Sequence, residues 1–456
     1  MRFKIILLLA LTVASFCSCK KFIEIPLPDN QLTSEFVFDN DNTAIQTITG
    51  IYSNMMTNSQ QFSSGYTTFF TGMASDELYY YTNSHRDEFI NNQISPINHP
   101  NLEANFWNPC YQYIYTANKC IEGASASNEL SLGIKNMVIG EAKFIRAFCY
   151  FYLTNLFGDV PLVLSTDYLS SQSLPRSSQE TIYSQIINDL NDAKQKLTND
   201  YPSIERTRPN RLTASALLTR LYLYRKDWTS AEFESSEIIN SGIYSINSDL
   251  SNVFQISSNE TIWQLQPVNP SRNTWEGNAI IPSSNGTAPT YLLTDALMSS
   301  FEPGDLRKIN WTKSRAFSGQ TLYYPFKYKV RTGSTLQEYY VVLRLAEIYL
   351  TRSEARVMKS NLQGAKDDLN IIRQRAGLPI TSASTASDIQ LAIEQERKIE
   401  YLSEWGHRWF DLKRINRANT VIGSLKPLTW QQTDALWPIP QSQINLNPSL
   451  TQNPGY

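Results

Sequence analysis

Glu396, Glu400 and Glu404 stand four residues apart in the segment ERKIEYLSEWGHRWFDLKR, so a helix places the three carboxylates on one face. Two chemistries are open to that spacing. Glu396 and Glu400, one turn apart, have the makings of a glycosidase acid and nucleophile. Alternatively the trio belongs to an ion network, with Arg397, Arg408, Arg414 and Asp411 tying the last long helix to a short one after Gly406. Three acids on one face repel unless cations intervene, and arginines are at hand, so the network is the preferred reading. His407 lies in the same segment, but no nucleophile or orienting partner is marked for it, which points to a hydrogen-bonded structural histidine. The three histidines of the chain never pair at metal-ligand spacing. No phosphate loop, GxSxG elbow, CxxC or HExxH occurs. The chain therefore reads as a binding protein with no catalytic residues, cofactor or metal.

The chemistry that remains is recognition by aromatic faces. The chain carries 25 Tyr and 9 Trp. Sugar rings present C–H faces that pack on aromatic faces, while Asp, Asn and Arg meet their hydroxyls. Two loop-rich regions combine these types. One is SDELYYYTNSHRDEF, with Asp76, Tyr79, Tyr80, Tyr81, Asn83 and Arg86; the other holds Trp275, Trp311, Tyr323 and Tyr324. The alternative for any one of these aromatics is a plug in the core or in an interface.

A frame must hold these groups. From Gly140 to Val163 the sequence GEAKFIRAFCYFYLTNLFGDVPLV places Ala142, Ile145, Cys149, Tyr152 and Leu156 on one helical face. From Ala147 onward almost every residue is apolar, so the helix is buried on all sides, with other helices around it. Gly158 suits a left-handed cap and Pro161 forbids the helix from resuming. Arg146, inside the apolar run, requires a carboxylate or carbonyl partner. Further helices are expected over 39–58, Phe106–Ile121, Glu180–Leu197, Arg211–Arg225, from Asp227, and over Gln337–Met358, Leu362–Arg375 and Ser387–Glu404. The tail from Thr420 reads as loop. Residues 60–100 and 245–336 are loop-rich, the latter with short strands such as TIWQLQ and TLYYPFKYKV. Helix pairs over 106–156, 180–225 and 337–375 carry Ala142, Ala216, Ala346 and Ala365 where helices would cross, in the manner of divergent tetratricopeptide pairs. The fold class is thus mostly α, with a loop-rich, short-strand insertion.

At the N-terminus, Arg2 and Lys4 precede an uncharged stretch from Ile5 to Phe16. That is shorter than the ~20 residues of a membrane span and fits a secretory signal. Ser18, Cys19, Lys20 and Lys21 follow, which resembles a bacterial lipoprotein signal cleaved before an acylated Cys19. Two or more acyl chains, palmitate among them, anchor stably. The expected division is a signal over 1–18, a linker over 19–38, a helical region over 39–244, the insertion over 245–336, and a second helical region over 337–456. Removing residues 1–18 takes away Arg2 and Lys4, so the net charge goes from −2 to −4 and nucleic acid is not an expected partner. Cys110, Cys120 and Cys149 read as buried thiols. Cys110 and Cys120, on one helix, would stand ~15 Å apart, beyond disulfide reach.

In order, the lipoprotein signal, EAKFIRAFCYFYLTNLFGDVPLV, RLTASALLTRLYLYRKDW, VLRLAEIYLTRSEAR, LNIIRQRAGLP and ERKIEYLSEWGHRWFDLKR closely resemble the SusD/RagB family of outer-membrane nutrient-binding lipoproteins of Bacteroidetes. The resemblance covers most of the mature chain. It implies a scaffold of tetratricopeptide-like pairs, anchoring on the outer face of the outer membrane, and a partner in a SusC-like TonB-dependent transporter. It also implies an oligosaccharide ligand, or a peptide as in the RagB branch. The matched segments are scaffold and do not identify the ligand.

Overall fold

In the computed structural model, which describes residues 37–57, 61–82, 84, 86–97 and 99–456, the longest helix is Leu132–Phe157. The signal segment, Cys19, the linker up to residue 36, and Asn83 lie outside the described residues. From Val138 to Phe157 every side chain except Lys143 is buried. Each large apolar side chain so enclosed contributes about 1.5–3 kcal/mol. The helix starts earlier than its apolar pattern suggests, because the residues before Val138 mix apolar and polar types and are exposed or half-buried. Asp41 fixes that start by accepting from the backbone N and the hydroxyl of Ser131, at 2.9 and 2.7 Å. At the other end Gly158 has φ +74°, as expected, but ψ −128° lies outside the left-handed helical basin. A Cβ there would also approach Leu436 Cδ1 to 2.9 Å.

Helices Asn108–Ala126 and Gln179–Lys196 pack on this central helix. Arg211–Arg225 pairs with Trp228–Asn240, and Leu345–Met358 with Leu362–Arg375. Ala142, Ala216, Ala346 and Ala365 are all fully buried within these layers. Arg146 finds its partner in Asp189, held by two hydrogen bonds of 2.8 and 2.6 Å, and also donates to Asn118 at 2.8 Å. The cysteines Cys110, Cys120 and Cys149 are free and buried.

Among the described residues, four antiparallel two-stranded sheets join the helices. β1 (Leu78–Tyr80) pairs with β5 (Tyr291–Leu293), and β2 (Val160–Pro161) with β3 (Arg176–Ser177). β4 (Thr261–Leu265) pairs with β8 (Tyr340–Arg344), and β6 (Thr312–Phe317) with β7 (Gln320–Pro325). β8 corrects the helix expected from Gln337, because the helix begins only at Leu345. A run such as YYVVLRLAEIYL has no polar contrast, so its period is unreadable, and the β-branched Val341 and Val342 settle into a buried strand. The strand expected over TLYYPFKYKV stops at Pro325. The tail from Thr420 is not all loop: helices span Ala418–Leu425 and Gln441–Leu446, and Trp437 of the WPIP segment is fully buried.

Candidate functional site

The helix Ala386–Glu400 and the turn after it bring Glu396, Glu400 and Glu404 inward, at 1, 0 and 7% exposure. Arg307 donates to Glu396 at 2.5 Å and to Glu400 at 3.0 Å. Arg344, at the junction of β8 and its helix, bonds Glu404 through two nitrogens at 2.8 and 2.9 Å, Glu260 at 2.9 Å, and Glu400. Arg375 joins Glu260 and Glu400, and Lys327 reaches Glu404. Burial pushes the Glu400 carboxyl up, but Arg375, Arg344 and Arg307 outweigh it and hold Glu400 well below the carboxylate range. Burial wins at Glu396, which is raised. The trio is thus an ion network, but its cations, Arg307, Lys327, Arg344, Arg373 and Arg375, all come from outside the expected segment. Arg397 and Arg414 instead pair with Asp411, and Arg408 with Asp76. Glu396 and Glu400 are sealed under guanidinium groups and have no access to a sugar, which removes the glycosidase arrangement. His407 stacks on Tyr401 with ring centres 4.5 Å apart, and burial keeps its imidazole neutral by lowering its pKa well below the usual value.

Two binding candidates belong to the same interior. Trp311 is fully buried; its Nε1 donates to Leu250 O at 3.0 Å, and Lys327 Nζ sits 4.5 Å from its ring centre. It roofs the ion network. Asp76 is 3% exposed and takes two hydrogen bonds from Arg408, at 2.8 and 3.0 Å. Burial raises its pKa, yet Arg408 and Lys398 lower it further, so it is a carboxylate bound to the frame. Neither residue faces a ligand in this arrangement. Tyr324 is also buried. Tyr323 is exposed, paired across the β6–β7 hairpin with Ser314. Tyr81 is exposed beside Phe317, with ring centres 5.8 Å apart. Tyr79, half-buried, lies next to Tyr80 on β1 and so points to the other face of that strand.

Tyr80, Arg86 and Trp275 are brought together. They line one cavity of about 390 Å³ with Tyr66, Asn278, Tyr291 and Arg331. That volume is in the range of small-ligand sites. Each wall has a local cause. Tyr80 is the last residue of β1, opposite Tyr291 of β5, and Tyr291 stacks on Phe69 with ring centres 4.0 Å apart. Trp275 opens the short helix Trp275–Ile280, whose cap is Thr274 Oγ1 accepting from Gly277 N at 3.1 Å. Its indole passes close over Gly65, at φ +104°, where a Cβ would lie 3.1 Å from the ring. The loop 281–288 closes the cavity. Arg315 of β6 braces that loop by donating to Ser284 O and Thr287 O at 2.5 and 2.7 Å, and Arg331 Nε donates to Ile281 O at 3.1 Å. Arg86 lies 4.5 Å above the Tyr80 ring. Trp275 Nε1 and Arg86 Nε are buried with no hydrogen-bond partner among the described residues. Beneath Trp275, Glu276 is buried and accepts from Tyr340 Oη at 2.7 Å; burial holds its carboxyl up at about 8.

Tyr66, Asn278, Tyr291 and Arg331 were not legible as site residues, because each comes from a different segment. A second cavity of about 320 Å³ lies between the helices Leu345–Met358, Ala386–Glu400 and His407–Arg414. Its charged walls are already paired, Arg414 with Glu354 at 2.6 Å and Arg397 with Asp411 at 2.7 Å, so it offers a ligand fewer free groups.

Known proteins resemble this chain in sequence and fold over most of its length. Residues 274–456 match a sequence profile described as the SusD family, and residues 21–223 match one described as starch-binding associating with outer membrane. SusD-like protein P25 of Formosa agariphila is 23% identical, aligned over 99% of this chain and 98% of its own length. SusD-like protein P2 of the same organism is 26% identical over 77% of this chain and 80% of its own. The crystal structure of a SusD superfamily protein from Bacteroides vulgatus superposes with a TM-score of 0.81 at 20% identity, covering 91% of this chain and 99% of that one. One described as a SusD-like carbohydrate binding protein, from Bacteroides fragilis, gives 0.78 at 21% identity, covering 91% and 100%. With two matching profiles that between them take in most of the sequence, and a fold shared along nearly all of it, the chain belongs to the SusD/RagB family of Bacteroidetes.

Proposed function

We propose that this protein captures an oligosaccharide at the cell surface in the cavity beside Trp275, and passes it to a TonB-dependent transporter of the outer membrane. One observation carries the reading. The fold collects Trp275, Tyr80 and Tyr291 with Asn278 and two arginines around one cavity of about 390 Å³, where aromatic rings and convergent polar groups share the wall. The family agrees with it: one matching profile is described as starch-binding, and a structural relative as carbohydrate binding. Cys19 is the proposed lipid anchor, and the transporter is the proposed recipient. The work is binding and release, with no bond broken.

A glycan array and a peptide library, probed with wild type and with Trp275→Ala and Tyr80→Ala, test the reading. Glycans retained by wild type and lost from Trp275→Ala are the expected result. Retention of peptides alone moves the ligand to the RagB type, and sugar binding indifferent to both substitutions removes the cavity from the proposal. A palmitate label that persists in Cys19→Ala refutes the anchor.

A further inference from the structure

We infer that the glycan taken by this cavity is anionic, bearing carboxylate or sulfate groups that Arg86 and Arg331 receive; this rests on the cavity being the sugar site. The inner arginines of this protein are matched to acids: Arg146 to Asp189, Arg220 to Glu347, Arg408 to Asp76. The half-buried arginines of the cavity have no such acid among the described residues. Arg86 and Arg331 both line it, and no Asp or Glu does among the described residues. The groups that face the Arg86 guanidinium are the phenols of Tyr291, Tyr80 and Tyr66, not carboxylates. Its Nε is buried without an acceptor among the described residues. Arg331 spends its Nε on the carbonyl of Ile281, which fixes the side chain along the loop wall.

The donor set decides between ligand classes. A neutral sugar offers hydroxyls that donate as well as accept, and sites for it supply acid or amide oxygens to take those protons. Here the side-chain oxygens on the wall come from Asn278, from the hydroxyls of Ser283, Thr287 and Thr290, and from the phenols of Tyr66, Tyr80 and Tyr291, none of them a carboxylate, while both formal charges are positive. Planar guanidinium groups match carboxylate and sulfate oxygens two at a time, and such charge-assisted bonds are stronger than neutral ones. Trp275 supplies a ring face for the C–H side of the same sugar. The chain as a whole is negative, −2, so the positive cavity is a local feature and not a reflection of composition.

The test is an array of neutral, uronate and sulfated oligosaccharides, followed by titration calorimetry of the purified full chain with hexagalacturonate, a chondroitin sulfate hexasaccharide, cellohexaose and maltohexaose. Acidic probes are expected to bind more tightly than neutral ones. Their affinity falls from ~0.1 M to ~1 M salt, as the Debye length shrinks from ~10 to ~3 Å. Arg86→Gln and Arg331→Gln each weaken it by about tenfold or more with unchanged melting temperature, while Arg331→Lys retains most of it. Which acidic probe binds distinguishes uronate from sulfate ester. Cellohexaose or maltohexaose bound as tightly, through Trp275 and regardless of both arginines, overturns the charge assignment and leaves the sugar site standing. An array retaining no acidic glycan overturns it too. Binding of hexaglutamate through the two arginines, with no sugar retained at all, overturns the sugar reading itself.

Discussion

Replacing Glu276 by Gln is expected to stabilise the protein at neutral pH and not in acid. The carboxyl is buried directly beneath the Trp275 wall, bonded by the hydroxyls of Tyr340 and Thr68, and burial raises it from 4.5 to about 8. An acid raised on folding keeps its proton in the native chain over a range where the unfolded chain has released it. Stability is therefore greatest below the unfolded pKa of 4.5 and is lost as pH climbs toward the folded value of about 8. Between about pH 5 and about pH 7.5 this single group withdraws about 3 kcal/mol from the wild type. Gln reproduces the neutral acid, with an oxygen to accept from Tyr340 and an amide in place of the acid hydroxyl, and has no proton to lose. At ~2.1 cal/mol/K of unfolding entropy per residue, a chain of this size moves its Tm by about 1 °C per kcal/mol. The Tm of the variant minus that of wild type should accordingly grow by roughly 3 °C over that interval. Other titrating groups, such as Lys413 and Lys426, both lowered to about 7, cancel in the difference because both proteins carry them. A difference that stays constant across the interval refutes the neutral, buried Glu276.

Arg344→Met strips Glu260, Glu400 and Glu404 of their shared cation and is expected to cost roughly 3–5 kcal/mol in urea unfolding; a loss below about 1 kcal/mol denies the network its structural role. At the Arg146–Asp189 pair, Arg146→Met alone should destabilise more than Arg146→Met combined with Asp189→Leu, because the single change leaves a carboxylate buried without its guanidinium; equal losses contradict this. Gly158→Ala meets both a positive φ and a 2.9 Å approach to Leu436, so a Tm drop matching at least ~1 kcal/mol is expected, and Leu436→Ala should recover part of it.

Trp311 and Trp275 show where sequence reasoning ends. Both are lone tryptophans in polar, turn-rich surroundings, and the sequence groups them in one candidate recognition region. The structure gives Trp311 a carbonyl for its Nε1 and a lysine over its ring, while Trp275, with Arg272 4.9 Å from its ring centre, has no partner for its Nε1 among the described residues and forms a cavity wall. What separates them is the company of Lys327 and Leu250, both distant in sequence from any helical period. The acidic trio repeats the lesson. Its spacing predicted shared burial with cations, but the cations arrived from Arg307, Arg344 and Arg375, which no i, i+4 rule connects to Glu400. Periodicity was informative wherever one face contrasts with another, as over Gln179–Lys196, where Ile182, Ile186 and Leu190 are buried and Glu180, Ser184 and Asn188 are not. It failed over Tyr340–Arg344, where every side chain is buried and contrast is lost. The cavity inherits the same nonlocality, with one wall from β1, one from the helix at Trp275 and one from Arg331. Its positive character follows from an assembly in which the acids of the chain are spent on the frame. Asp76 is the clearest case: it stands four residues before Tyr80, yet it is drawn inward by Arg408 and Lys398 and leaves Arg86 without a carboxylate among the described residues. Asp76→Asn should therefore weaken the frame and leave the affinity for an acidic hexasaccharide within about twofold, because the carboxylate it removes never faces the cavity. A tenfold change in that affinity, with the melting temperature held, would mean that Asp76 reaches the ligand after all.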